Sequence, residues 1–137
     1  MEERSAGAVL FREDDIRLYL LLHYQARHWD FPKGNIEEGE EELDTVRREV
    51  KEETGIDDII IIDGFKRVSE YYYKRAGKLV HKQVVFYLAK TNQKEVRLSY
   101  EHIGYEWLPY KEAYDRLTFK NSKRILADAE EFLNEFK

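Results

Sequence analysis

Hydrophobic and polar positions divide the chain into short elements, with no linker, repeat or low-complexity stretch between them. Residues 4–12 (RSAGAVLFR) and 16–24 (IRLYLLLHY) read as two strands around a turn at Glu13, Asp14 and Asp15. Residues 42–54 read as a helix that buries Leu43, Val46, Val50 and Thr54 on one stripe. Ile59 to Ile62 follow, then an extended stretch over 64–73 and a turn at Ala76-Gly77. Residues 80–89 alternate or run apolar as a buried strand does, and 105–108 form a short strand. Pro109 opens a helix over 111–117. The last helix, 122–136, sets Ile125, Leu126, Ala129, Phe132, Leu133 and Phe136 on one face, a core stripe rather than a partner or cofactor groove.

The polar positions of the first helix carry the chemistry. Glu49, Glu52 and Glu53 stand at i, i+3 and i+4, so their carboxylates share one face over a single turn. Without a cation that clustering is unfavourable, because like charges at those spacings repel and push a carboxylate toward protonation. A divalent ion reverses the sign. Oxygen-only ligands suit Mg²⁺, or Mn²⁺ as an alternative, with substrate phosphate and water completing the octahedron. Arg48 lies four residues before Glu52 and can hold it by a charged hydrogen bond. Gly55 stands where a left-handed helix C-terminal residue belongs, and Gly34 and Gly39 let the preceding loop turn tightly.

Composition sets the class. At 137 residues the chain is expected to be one domain over 1–137, large enough to bury a core without disulfides or structural metal. It has no cysteine, no bilayer-spanning apolar run and no secretory leader, from which a cytoplasmic location and no membrane partner are expected. Charge is unevenly distributed. Between Glu37 and Asp58 eleven acids face three bases, whereas the remainder holds 20 bases against 17 acids. An acidic, metal-loaded patch in a mildly basic body suits a polyanionic substrate, while the basic stripe of a nucleic-acid binder is missing.

Upstream, in HWDFPKGNIEEGE, Pro32 stiffens the entry, Lys33 can neutralise a phosphate oxygen, and His28 and Trp29 stand near the mouth. Downstream, Tyr71, Tyr72, Tyr73 and Tyr87 concentrate near Lys74, Arg75, His81 and Lys82. Aromatic faces stack on bases and cations offset phosphates, so the mixture suits a nucleotide with several phosphates. At least half of these four tyrosines are expected to be structural, since tyrosines along a strand alternate between core and surface.

Residues 34–56, GNIEEGEEELDTVRREVKEETGI, match the box of the Nudix hydrolases at every defined position: Gly34, Glu40, Arg48-Glu49, Glu52-Glu53 and Gly55, with aliphatic Val50 and Ile56. Seven fixed letters at roughly 6% usage each coincide by chance about once in 10⁸ to 10⁹ starts, and about a hundredfold more often in a segment this rich in Glu. The chain thus resembles that family, which cleaves nucleoside diphosphates linked to another moiety. The resemblance implies an α/β fold, a Nudix-type α/β/α sandwich with a central mixed β-sheet, and Glu49, Glu52 and Glu53 as metal ligands with Arg48 orienting one of them. HW-x-x-PKG before the box, GFKR after it, and LSYEHIGYEWL nearer the C-terminus narrow the likeness to the asymmetrical diadenosine tetraphosphate (Ap4A) hydrolases.

That likeness implies hydrolysis of Ap4A to ATP and AMP. His28, Lys33 and Lys82 would be phosphate contacts, Tyr71 or its neighbours Tyr72 and Tyr73 would stack on adenine, and Glu101 would be a fourth acid near the metals. Glu52 or Glu101 is the expected general base, and Glu53 with Arg48 completes the catalytic set. The stretch from Val68 to Gln83 is longer than in the animal-type members, which leaves the stacking tyrosine open. Two other readings stand beside this one: a pyrophosphohydrolase of RNA 5′ ends or nucleoside triphosphates, and a non-catalytic nucleotide-binding regulatory module, which the intact glutamates oppose. Oligomeric state is not legible in the sequence.

Overall fold

The computed structural model describes residues 1–135, so Phe136, the last position of the C-terminal stripe, lies outside the described residues. Its elements are β1 (Glu2–Glu13), β2 (Arg17–Tyr24), β3 (Trp29–Asp30), β4 (Lys33–Asn35), α1 (Glu42–Thr54), β5 (Ile60–Arg75), β6 (Lys78–Lys90), β7 (His102–Leu108), α2 (Tyr110–Arg116) and α3 (Lys120–Asn134). The strands form one mixed sheet. β1 runs parallel to β6 from Glu2 to Phe11, and β5 closes that edge as an antiparallel hairpin with β6. On its other side β1 meets β2 only at Phe11 to Glu13. β7 covers the far edge of β2.

The fork between β1 and β2 is what positions the site. Ser5 to Gly7 of β1 pair with β4, while Leu22 and His23 of β2 pair with β3. The segment from Trp29 to Asn35 therefore wedges the two long strands apart. Gly7 allows it: a Cβ there would stand 2.4 Å from the Pro32 carbonyl oxygen and 2.6 Å from the Lys33 Cβ. These two short strands went unread in the sequence, since two- and three-residue pairings leave no periodic signal.

Both faces of the sheet are covered. Val9, Phe11, Tyr19, Leu21, Val84, Phe86 and Leu88 pack with Ile125, Leu126 and Ala129 of α3 and Ala113 of α2. Ala6, Ala8, Leu10, Leu20, Leu22, Val85 and Ala89 pack with Val46 and Val50 of α1. Two-sided burial explains why β1 and β2 read as apolar runs rather than clean alternations. Fully burying each such Leu or Phe contributes about 1.5–3 kcal/mol. The result is an α/β/α sandwich around a mixed sheet.

Three expectations change in detail. Leu43 is exposed, and the buried side of α1 instead includes Thr45 and Glu53. Residues 60–75 form one strand, not two, interrupted in register between Ile61 and Lys66. Gly64, at φ +93°, lies within that irregularity. No helix among the described residues is long and apolar enough to cross a membrane.

Candidate active site

α1 ends at Gly55, whose φ of 75° is the left-handed conformation and whose N–H donates to the Lys51 carbonyl. The last two turns aim Glu49 and Glu53 at the loop wedged into the sheet. Glu53 is buried and accepts the Lys33 backbone N–H at 3.1 Å. Glu49 lies across Gly34, where a Cβ would come within 2.0 Å of its carboxyl carbon. Gly34 is thus required by close approach of a carboxylate, not by backbone conformation.

Arg48 joins the loop to the helix. Its Nε and Nη2 form a two-point pair with Glu40 at 2.6 and 3.0 Å, and Nη2 also donates to the Asn35 carbonyl at 2.9 Å. Nη1 reaches Glu49 at 2.7 Å and Glu52 at 3.1 Å. The sequence spacing anticipated the Glu52 pair but not Glu40, eight residues earlier, as the main partner. Hydrogen bonds from Arg48, then the Glu37 contact, hold Glu40 down at about 2.

Electrostatically the deeper carboxylates oppose ionisation. Burial, then the Glu49 charge, pushes Glu53 up to about 8, and burial also raises Glu49. Glu101 adds to the repulsion felt by both. Four carboxylates thus share a region in which Arg48 is already committed. Among the described residues no three acids or histidines converge closely enough to hold an ion. The donor set nevertheless fits a hard divalent cation, since it is all oxygen and two of its members are raised by burial and by one another's charge.

Beside the acids lies a cavity of about 650 Å³. Tyr71, Phe119, Val84, Phe86, Lys33, Lys82 and His28 are among the residues that line it. Asp30, buried, accepts from the Ser122 hydroxyl at 2.8 Å and lies 3.5 Å from Lys33 Nζ, so it steers that ammonium group. Lys82 Nζ donates to the Asn35 side-chain carbonyl at 3.2 Å, and Asn35 is the residue whose main chain Arg48 holds. Burial lowers both His28 and Lys82 from their ordinary values. Tyr24 also lines the cavity, with Lys33 Nζ 4.9 Å from its ring centroid. Its ring stacks on His28 at 4.5 Å and 12°, and burial, then the Glu53 charge, raises its phenol.

The NUDIX domain family model matches residues 1–129. The chain belongs to the Nudix family. Over 97% of its length it is 36% identical to the asymmetrical bis(5′-nucleosyl)-tetraphosphatase of Mus musculus, covering 97% of that protein. A crystal structure of a Caenorhabditis elegans Ap4A hydrolase binary complex superimposes with a TM-score of 0.86 at 30% identity, over 98% of this chain and 99% of that one. An RNA pyrophosphohydrolase of Bartonella bacilliformis is 48% identical over 77 residues, which is 50% of this chain and 44% of that protein.

Within this Nudix hydrolase the expected residues are placed unequally. Glu49, Glu52, Glu53 and Arg48 lie together, with Glu101 on the loop before β7. His28, Lys33, Lys82 and Tyr71 share the cavity. Tyr71 and Lys82 are register partners across β5 and β6, so one strand pairing puts ring and ammonium on the same face. Tyr72 points to the other face, stacked on His81 at 4.7 Å. Tyr73 donates to Glu3 at 2.7 Å, outside the cavity lining. Tyr87 also departs from expectation. It faces the α1 side, donates to Glu42 at 2.5 Å and has Lys66 5.9 Å from its ring, because residue 87 falls on the opposite parity from Lys82, Val84 and Phe86. Trp29 stacks on His23 at 4.3 Å and under Arg116 rather than lining the cavity. Tyr24, Asp30 and Asn35 escaped notice in the sequence, whereas Phe119, with Lys120, marks the end of the stretch over which the family likeness runs.

Proposed function

We propose that this Nudix enzyme hydrolyses Ap4A asymmetrically, Ap4A and water giving ATP and AMP, with Mg²⁺ as its ion and residues 1–137 acting as one domain. The observation that carries this reading is an aromatic cavity, lined by Tyr71, Phe119, His28, Lys33 and Lys82, that adjoins the α1 carboxylates through Lys33, whose backbone N–H donates to Glu53. A base between two rings gains about 1–3 kcal/mol of stacking. Lysines beside it neutralise the phosphates that follow. Full-length likeness to relatives that carry this activity supports the same substrate, whereas the RNA pyrophosphohydrolase likeness covers half the chain.

Glu49, Glu52, Glu53 and Glu101 would hold the divalent ions. When bound, such ions neutralise the polyphosphate, acidify water and stabilise charge on the departing oxygen. The chain's own residues do the rest. Arg48 holds Glu49 and Glu52 in place through its fork on Glu40. Lys33 and Lys82 fix the phosphate chain, and His28, stacked on Tyr24, lines its path. Among the described residues Glu101 has a carboxylate with no ion pair, while Glu52 is tied to Arg48 at 3.1 Å. Glu101 therefore takes the proton of the attacking water on a carboxylate oxygen.

The test is incubation with Ap4A and Mg²⁺ in ¹⁸O-labelled water, with products separated and weighed. ATP plus AMP is expected, with the label reporting the phosphorus attacked. Intact Ap4A beside consumed RNA 5′-triphosphate would overturn the substrate and favour the pyrophosphohydrolase reading. Nucleotide binding without any product would favour the regulatory one.

A further inference from the structure

His102 opens β7, and its side chain is fully buried. Among the described residues its Nε2 and Arg12 Nε are the buried side-chain polar atoms without a hydrogen-bond partner. A buried ring nitrogen left unpaired is costly and calls for a reason. Three contacts pin the ring. The His102 N–H donates to the Ser99 carbonyl at 3.2 Å, which closes a turn. Ser99 Oγ lies 3.0 Å from Nδ1, and the Tyr24 ring packs against the imidazole at 63° with centroids 4.5 Å apart. So held, Nε2 lies 3.9 Å from Glu53 Oε1.

The same contacts say which nitrogen carries the hydrogen. Ser99 Oγ accepts the Glu101 N–H at 3.4 Å, so its own O–H remains to be given, and Nδ1 is the acceptor beside it. A neutral imidazole that accepts at Nδ1 carries its hydrogen on Nε2. That N–H is on the side of Glu53. Oε1 also accepts the Lys33 backbone N–H at 3.1 Å, so both contacts fall on one carboxylate oxygen and neither uses Oε2.

We propose that His102 is a positioning residue for the metal site: its Nε2–H, set by Ser99, holds Glu53 through Oε1 and leaves Oε2 for a divalent cation. The inference rests on the reading of Glu53 as a metal ligand and deepens it. At 3.9 Å the pair is a short side-chain movement away from a hydrogen bond, and contacts of this kind commonly tighten only once the ligands are in place. Outer contacts that orient a ligating carboxylate govern metal affinity as the ligands themselves do. Ser99 also takes up the Glu101 main chain, so one relay, from Glu101 N–H through Ser99 and His102 to Glu53, ties the loop before β7 to α1.

The probe is Mn²⁺ alone, without nucleotide, its free fraction read by electron paramagnetic resonance in the unmodified enzyme, His102→Gln, His102→Asn and Ser99→Ala. Glutamine carries its amide to about where Nε2 lies and keeps a donor for Glu53, whereas asparagine reaches only as far as Nδ1 and keeps the Ser99 contact. His102→Asn should weaken Mn²⁺ binding about 10- to 100-fold, while His102→Gln should stay within about threefold of the unmodified enzyme. Ser99→Ala should weaken binding by itself but cost nothing further in His102→Gln, whose amide needs no tautomer set. A merely structural role would treat the two amide variants alike, so equal affinities in His102→Asn and His102→Gln would overturn the proposal. A Ser99→Ala loss that persists undiminished in His102→Gln would do the same. The readout is metal binding and stands whether or not Ap4A is the substrate; absence of Mn²⁺ binding by the unmodified enzyme would instead sink the metal reading of Glu53, and this inference with it.

Discussion

His102 Nε2 lies 3.9 Å from Glu53 Oε1, both side chains are buried, and among the described residues Nε2 has no hydrogen-bond partner. Ser99 holds the other ring nitrogen at 3.0 Å. Burial, then Lys33 and His28, drives His102 down to about 4, so it faces Glu53 as a neutral ring. As a neutral ring its Nε2 can donate to ionised Glu53 or accept from protonated Glu53, according to tautomer.

The two shifts oppose each other in pH. Folded Glu53, at about 8 against 4.5 in the unfolded chain, binds the extra proton between those values, so it lowers stability as pH rises through that window. Folded His102, at about 4 against 6.5, binds fewer protons than the unfolded chain, so it raises stability as pH rises from 4 to 6.5. Lys33, Glu49 and Glu101 face the same pair and do not alter the signs. In metal-free protein the melting temperature should change little from pH 4.5 to 6.5 and fall from 6.5 to 8. His102→Gln should start the fall near 4.5, and Glu53→Gln should reduce it to the part that the raised Glu49 contributes. A calorimetric pH series checks this, and a fall undiminished in Glu53→Gln defeats the assignment.

Added Mg²⁺ should reverse that fall. Binding requires the ionised carboxylates, so the rise in melting temperature on adding Mg²⁺ should be larger at pH 8 than at pH 5.5. In Glu53→Gln the rise should shrink at pH 8, and kcat should drop by about 10² to 10⁴ with an unchanged far-ultraviolet circular dichroism spectrum. Near-normal turnover in that variant would exclude Glu53 from the metal site.

Gly34→Ala tests the close approach of loop and helix. Its Cβ would fall within 2.3 Å of both Glu49 carboxylate oxygens, so the carboxylate must move. A misplacement of about 1 Å costs about a hundredfold in kcat/KM. Gly39→Ala has open space around it but sits at φ +84°, so it should lower stability through strain rather than turnover. Steady-state kinetics and melting curves on both variants separate the two effects.

The tyrosines should divide by face. Tyr71→Ala is expected to raise KM about tenfold, by loss of a stacking wall. Tyr72→Ala and Tyr87→Phe should leave KM within about twofold, since both face away from the cavity, although Tyr87→Phe forfeits its bond to Glu42 and about 1 kcal/mol of stability. A large KM effect from Tyr87→Phe would count against the placement.

Local spacing made the acidic helix and the Nudix box legible in the sequence, and the layer order followed from the family likeness. Three glutamates within one helical turn, a glycine after them, and arginine four residues ahead of Glu52 are local facts, fixed by a 3.6-residue period. Two apolar runs and an amphipathic C-terminal helix were legible as elements, while the sandwich that joins them was implied by the family likeness. Tertiary structure alone decided what lies across the sheet from what. Register between β5 and β6 chose Tyr71 over Tyr72 and turned Tyr87 away, because one step along a strand exchanges faces. The fork between β1 and β2 brought Phe119 within 5.3 Å of His28, and packing brought Glu40 to Arg48 and His102 to Glu53. Those meetings depend on how separate elements pack, and no spacing along the chain encodes them.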